Sequence, residues 1–286
     1  MRVAITGTTG RVGAALANHF SGRHEVIALP RGLFDLADPD GMAALLDSLE
    51  CDVFFNPAGL TGLEACEDNP ALAHRLNAAA PAELAAWAAA RGVRLFHFST
   101  DYVFSGETPG FRTEDELASP LSVYGRSKRA GEDAVLAHPG TCVVRVSWVF
   151  GPEKPSFVDL ILRRALAGEP LSAIADKYSL PTHTGDLARW MEVLAESGVT
   201  GTIHACQSGE PVSWHGMAGA VIEELMRSGR LDTLPEIEAT ALDDTVAFRA
   251  ARPRHTAMAT NRLAACLPDP IRGWREAVQD YTRECR

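Results

Sequence analysis

The chain has 286 residues, long for one small core and short for two unrelated domains, so one extended domain or a main domain with a smaller appendage fits best. Its 27 Lys and Arg stand against 37 Asp and Glu, and the net charge of −10 argues against coating nucleic acid or an anionic membrane as its main business. At 46% hydrophobic residues, the composition is that of a globular protein rather than a disordered one.

In chain order, short apolar runs alternate with amphipathic helical stretches through the first half. Residues 2–6, 25–29, 52–56, 94–100 and 142–150 read as strands, several of them apolar almost throughout, as a parallel sheet covered on both faces requires. Between them, 12–20, 41–49, 69–91 and 122–137 read as helices, with Asp38-Pro39 and Ser119-Pro120 as N-terminal starts. That alternation implies right-handed crossovers and a doubly wound α/β sheet. After Gly151-Pro152 the pattern changes. Helices at 156–167 and 184–196 flank a short apolar piece at 171–175, and a strand at 202–206 returns to the main sheet. A helix at 214–227, an acidic loop-rich stretch at 232–244 and a closing helix at 274–285 follow.

No segment reaches the ~18–20 consecutive apolar residues of a membrane span. The opening residues run straight into a Gly-rich turn, without the long apolar stretch of a signal peptide. The six cysteines are scattered with no C-x-x-C pair and read as mostly buried thiols, which points to a reducing, cytoplasmic setting. The nine histidines show no H-E-x-x-H or paired spacing, so no metal site is expected.

Gly7-Thr8-Thr9-Gly10-Arg11-Val12-Gly13 lies between the first strand and the first helix. Glycines there permit a tight turn and close backbone approach, and the free N–H groups of the helix start face a pyrophosphate. The spacing is the G-x-x-G-x-x-G variant of short-chain dehydrogenases, so Gly7, Gly10, Arg11, Val12 and Gly13 are expected at a dinucleotide. The second strand ends in Leu29-Pro30-Arg31, with no acid for a ribose 2′-hydroxyl. A preference for NADPH over NADH follows if Arg31 meets the 2′-phosphate; a solvated loop cation is the alternative. Asp35 and Leu36 then meet the adenine, and Gly59, Leu60 and Thr61 line the nicotinamide side. The expected division is a dinucleotide-binding domain over 1–150, with 184–206 returning to it, and a smaller interleaved substrate-binding part made of 151–183 and 207–286.

Tyr124-Gly125-Arg126-Ser127-Lys128 places a phenol and an ammonium one turn apart on one helix face. A free tyrosine, with a pKa of about 10, is a poor proton relay near neutrality. A neighbouring ammonium stabilises the phenolate, so Lys128 is expected to lower Tyr124 and to hold the nicotinamide ribose. Ser99-Thr100-Asp101 ends the fourth strand, at the edge where a doubly wound sheet binds its ligand, so Thr100 is expected to hydrogen-bond the same substrate oxygen.

Three blocks extend these motifs: Ser99-Thr100-Asp101-Tyr102-Val103-Phe104, Pro120-Leu121-Ser122-Val123-Tyr124 running on to Lys128, and Arg145-Val146-Ser147-Trp148-Val149-Phe150-Gly151. With Pro181-Thr182, Asp186-Leu187 and Arg252-Pro253, they make the chain resemble, over nearly its whole length, the dTDP-4-dehydrorhamnose reductase family of extended short-chain dehydrogenases. The resemblance implies a Rossmann-type sheet and NADPH-dependent reduction of the 4-keto group of a nucleotide-linked deoxysugar. It makes Thr100, Tyr124 and Lys128 the catalytic set, brings Thr100, Asp101 and Trp148 to the sugar nucleotide, sets Phe98 beside the cofactor, and gives Asn77 a role in orienting a relay water. Relatives often dimerise, so a homodimer is an expectation, and no nucleic acid, membrane or metal is implied. Arg126, Arg145, Arg252 and Arg254 are the candidate cations for the diphosphate.

Two stretches depart from the family pattern, Asn56-Pro57-Ala58-Gly59-Leu60-Thr61 and Leu63-Glu64-Ala65-Cys66-Glu67, and both lie near the sugar in relatives. Competing readings are a sugar-nucleotide epimerase or dehydratase and a non-catalytic, NADP-binding regulatory subunit like the methionine adenosyltransferase β subunit. Dehydratases typically carry Glu where this chain has Tyr102, and Ser147-Trp148 looks like the reductases rather than the regulator.

Overall fold

A computed structural model describes residues 1–285, and in its first half strand and helix alternate as the apolar periodicity requires. β1 (Arg2–Thr6), α1 (Arg11–Phe20), β2 (Glu25–Leu29), α2 (Pro39–Ser48) and β3 (Val53–Asn56) follow one another closely. Asp38 caps α2 through its side chain with Pro39 in the first turn, the arrangement that pre-sets φ and satisfies an orphan N–H. α3 (Leu63–Asp68) follows, and α4 (Pro70–His74), a π turn (Arg75–Ala79) and α5 (Ala80–Arg91) then occupy the region expected to be one helix over 69–91. Periodicity alone does not reveal the extra residue of a π turn, which here carries the buried Asn77.

β4 (Arg94–Thr100), a 3-10 turn (Asp101–Val103), α6 (Val123–Leu136) and β5 (Thr141–Val146) complete this half. The cap of α6 is Ser122, not the Ser119-Pro120 pair: its side chain accepts from Gly125 N at 3.1 Å. The strand expected over 142–150 is broken at Trp148, whose φ of +43° turns the chain before β6 (Val149–Phe150). The remaining elements are α7 (Phe157–Leu166), β7 (Leu171–Ile174), β8 (Tyr178–Ser179), β9 (Thr182–His183), α8 (Thr184–Ser197), β10 (Gly201–His204), β11 (Val212–Ser213), α9 (Trp214–Arg227), β12 (Ile237–Thr240), α10 (Asn261–Cys266) and α11 (Trp274–Glu284). β12 lies inside the acidic stretch read as loop and pairs in parallel with β7, so the partner strand rather than its own composition ordered it.

Six strands form the main sheet in the order β10-β5-β4-β3-β1-β2, all paired in parallel. α1 and α8 cover one face through Leu16, Phe20, Met191 and Leu194, while α2, α5 and α6 cover the other through Met42, Leu46, Leu84 and Val135. The chain runs outward one way from β1 to β2 and the other way from β3 onward. The switch point therefore falls between β1 and β3, where such sheets open a ligand crevice. α7, α9 and α11 pack a separate core with Phe104, Phe150 and Met258 beside that edge.

Candidate active site

A cleft of about 720 Å³ opens at the carboxyl ends of the main strands. At its phosphate end, Gly7 has φ of +58°, and a Cβ on Gly13 would stand 2.3 Å from Gly7 O. Only glycine permits that approach of loop to helix. No side chain caps α1, so its first N–H groups are directed outward at the cleft, the donor set a pyrophosphate takes. Arg11 and Lys154 both line this end, and Arg11 ties the loop after β6 in place by donating to Lys154 O at 3.3 Å and Pro155 O at 2.7 Å. Arg31, Asp35 and Leu36 line the far end with Phe34, and Arg31 faces Asp35 at 3.7 Å in an exposed pair.

The expected residues Gly7, Gly10, Arg11, Val12, Gly13, Arg31, Asp35 and Leu36 thus share one wall. Gly59, Thr61, Phe98, Thr100, Asp101, Tyr124, Lys128 and Trp148 share the other. Leu60 does not line the cleft. Its backbone is instead locked to Asn77, which accepts from Leu60 N at 2.8 Å and donates to Leu60 O at 2.9 Å and Ser127 Oγ at 3.0 Å. The Asn77 amide thus latches the β3–α3 loop to α6, with both of its N–H groups used and its oxygen accepting one bond. Glu67 completes the latch by accepting from Val123 N, at the start of α6, at 2.8 Å.

On α6, Tyr124 and Lys128 both face the cleft, and both are almost fully buried. Lys128 Nζ donates to Phe98 O at 2.5 Å and lies 3.3 Å from His97 Nε2. Burial pulls the Lys128 ammonium down to about 8, while Glu132 one turn further on supports its charge. His97 is pushed well below its usual value, first by burial and then by Lys128, so it is a neutral ring. Asn56 donates to its Nδ1 at 3.1 Å, and Thr6 in turn donates to Asn56 Oδ1 at 2.7 Å.

The expectation that Lys128 would make Tyr124 acidic is overturned. Burial pushes the phenol up, the Thr100 side chain offsets part of that, and Asp101 adds to it. Lys128 is not among the groups that move the phenol, and desolvation wins. Tyr124 consequently keeps its proton throughout the neutral range.

Thr100 Oγ1 donates to Asp101 Oδ1 at 3.2 Å and accepts from Tyr102 N at 3.2 Å. Asp101 Oδ2 accepts from Ser179 Oγ at 3.2 Å and Thr256 Oγ1 at 2.5 Å. The indole of Trp148 packs edge-on against Trp214, with ring centroids 5.6 Å apart, and its Nε1 is buried with no partner. A non-glycine residue in the left-handed region beside an orphan donor is the kind of strain that clusters at functional sites.

The four arginines expected at a diphosphate do not line the cleft. Arg145 is buried in the interior and paired with Glu132 at 2.7 Å, and Arg252 pairs with Glu64 at 2.9 Å. Arg254 is held by Asp176 and Asp243, and Arg126 donates to Leu121 O. Each had a nearer acceptor than the cleft, which sequence position does not reveal. The cations that do line it are Arg11, Arg31, Lys128 and Lys154. His97 was missed although a signal existed, a polar side chain inside an otherwise apolar strand.

Comparison with known proteins identifies the family and the fold. The family model described as RmlD substrate binding domain matches residues 1–286. A dTDP-4-dehydrorhamnose reductase of Mycolicibacterium smegmatis is 36% identical, covering 98% of this chain and 84% of that protein. The chain belongs to the dTDP-4-dehydrorhamnose reductase family. A second relative, the dTDP-4-keto-6-deoxy-D-glucose reductase of Streptomyces niveus, is 31% identical over 97% of this chain and 95% of its own. The crystal structure of dTDP-4-dehydrorhamnose reductase from Bacillus anthracis in complex with NADP superposes with a TM-score of 0.90 at 25% identity, covering 99% of each chain. The extended short-chain dehydrogenase fold of the family is the fold described above. Among the described residues, no helix is long and apolar enough to cross a membrane.

Proposed function

We propose that the protein is an NADPH-dependent oxidoreductase that reduces the 4-keto group of a dTDP-linked 6-deoxysugar, converting dTDP-4-dehydrorhamnose to dTDP-rhamnose. The observation that carries this is the meeting of Thr100, Tyr124 and Lys128 in the same cleft as the uncapped start of α1. In this reading, residues 1–150 with 184–206 carry the dinucleotide, and 151–183 with 207–286 close over the sugar nucleotide.

The residues present suit the cofactor: a glycine cradle a Cβ would fill, free helix N–H groups, Arg11 and Lys154 for the pyrophosphate, and Arg31 for a 2′-phosphate. Reduced nicotinamide, when bound, supplies the hydride. Lys128 holds the nicotinamide ribose with the N–H groups not given to Phe98 O. Thr100 hydrogen-bonds the ketone oxygen, and Tyr124 delivers its proton there as negative charge develops. A phenol raised by burial suits this direction, because it holds its proton until an alkoxide, a much stronger base, forms beside it. Trp148 and Asp101 form the sugar face. An elimination would call for a carboxylic acid where this chain carries Tyr102.

The test is loss of reduced-cofactor absorbance on a panel of nucleotide 4-keto-6-deoxysugars. Turnover that falls about 10²- to 10⁴-fold in Tyr124→Phe, with NADPH binding retained, is expected. Tight NADPH binding with no turnover on any ketosugar would replace this proposal with a regulatory, non-catalytic role. For cofactor choice, Arg31→Ala should lower the NADPH-to-NADH ratio of kcat/KM; an unchanged ratio removes Arg31 from the site.

A further inference from the structure

Lys177 has no exposed surface and does not line the cleft, yet it lies directly behind the cleft's sugar face. Its Nζ donates to one oxygen, Pro253 O, at 2.6 Å. The same nitrogen lies 4.7 Å from the ring centroid of Tyr102 and 5.9 Å from that of Trp148, both of which line the cleft. Two residues further along its segment, Ser179 donates to Asp101, and Thr256, three residues beyond Pro253, does the same. A buried ammonium with a single oxygen acceptor is expensive to maintain. Two aromatic faces offset that here, and Asp101, held by Ser179 and Thr256 beyond ion-pair distance of Lys177, adds a longer-range attraction.

We propose that Lys177 is a positioning residue for the reduction: its ammonium neutralises the buried Asp101 and anchors Tyr102 and Trp148, so that Thr100 and Tyr124 meet the ketone oxygen with the right charge balance. This rests on the reductase function proposed above. Thr100 Oγ1 donates to Asp101, and the Asp101 charge holds the Tyr124 proton more tightly. Without a compensating cation, Asp101 therefore weakens the acid, while no contact to substrate or cofactor is lost. The effect belongs in kcat rather than in cofactor affinity.

The charged and titratable groups around Lys177 are Asp101 and Tyr102 on the 3-10 turn, and Arg252 and His255 on the segment that supplies Pro253 O. Burial raises Tyr102 far above its usual value and, with the neighbouring cations, lowers His255; Arg252 pairs with Glu64. Above neutrality, the ionising groups of this site are thus Lys177 and Lys128, each brought to about 8 by burial.

The experiment is a cycle over Lys177→Met and Asp101→Asn, read in two ways on the full chain. Urea unfolding, which needs no substrate, should show each single variant less stable and the double variant close to wild type. In steady-state reduction, Lys177→Met should lower kcat at least ten-fold with the NADPH dissociation constant unchanged. The alkaline fall of log kcat/KM should be steeper than a one-proton slope in wild type and relax to one in Lys177→Met. Additive stability losses overturn the charge pairing, and a coupled stability cycle with unaltered kcat and pH slope overturns the positioning role. If Lys177→Met does not fold, a double variant that also fails to fold overturns the pairing. Coupling in stability alongside a wild type that turns over no ketosugar would refute the reductase function and, with it, the positioning role, while leaving the pairing intact.

Discussion

Arg145→Met would remove the main cation from a carboxylate that has no exposed surface. Arg145, 1% exposed, grips Glu132 with both edges of its guanidinium, Nε to Oε1 at 2.8 Å and Nη2 to Oε2 at 2.7 Å. Breaking a buried pair by deleting one partner destabilises by about 3–5 kcal/mol, because the survivor is left charged in a poor solvent. Arg129 also reaches Glu132 Oε2 at 3.1 Å from a position near the surface, so the loss should fall at the low end, about 3 kcal/mol, or roughly two orders of magnitude in the folding equilibrium. Replacing both partners, as Arg145→Met with Glu132→Leu, removes the stranded charge and should bring the loss to about 1 kcal/mol, since packed apolar pairs substitute well for buried ions. Urea unfolding followed by circular dichroism measures all three proteins. A double variant whose loss equals the sum of the two singles, or an Arg145→Met within a few tenths of a kcal/mol of wild type, would refute this account of the interior. A functional consequence accompanies it. Glu132 supports the Lys128 charge, so Glu132→Gln should move the alkaline fall of activity to lower pH.

Three more outcomes can be checked directly. Reduction should be steady below neutrality and fall as pH rises through about 8, where Lys128 loses its proton while Tyr124 keeps its own; a kcat/KM that climbs with pH above 8 contradicts the assignment. Gly13→Ala would set a Cβ 2.3 Å from Gly7 O, a backbone atom with no room to yield, so NADPH affinity measured by calorimetry should fall at least ten-fold. Burial pushes the thiols of Cys51 and Cys66 up to about 11 and that of Cys142 to about 12, so a disulfide reagent should label the half-buried Cys266 and Cys285 well before the four buried cysteines.

The strand–helix alternation was readable because parallel strands covered on both faces are near-continuous apolar runs, as in Val3, Ala4 and Ile5 or Phe54 and Phe55. The nucleotide turn and the Tyr124–Lys128 pair were readable because their spacing is local: a tight turn and one turn of helix. The π turn at Asn77, the break at Trp148 and β12 were not. Each exists because a distant segment supplies its partner: Leu60 and Ser127 for Asn77, Trp214 for the Trp148 ring and β7 for β12.

Residue order and type alone thus established the doubly wound sheet, the place of the Gly-rich turn and most of the side chains that line the cleft. Charge states and cation partners were decided only by tertiary packing. Arg145 left the expected diphosphate site for Glu132, Lys177 emerged behind the sugar face, and the Tyr124 phenol rose where a fall was expected. The reason is that spacing is a property of the chain, whereas desolvation depends on every atom that the fold brings around a charge.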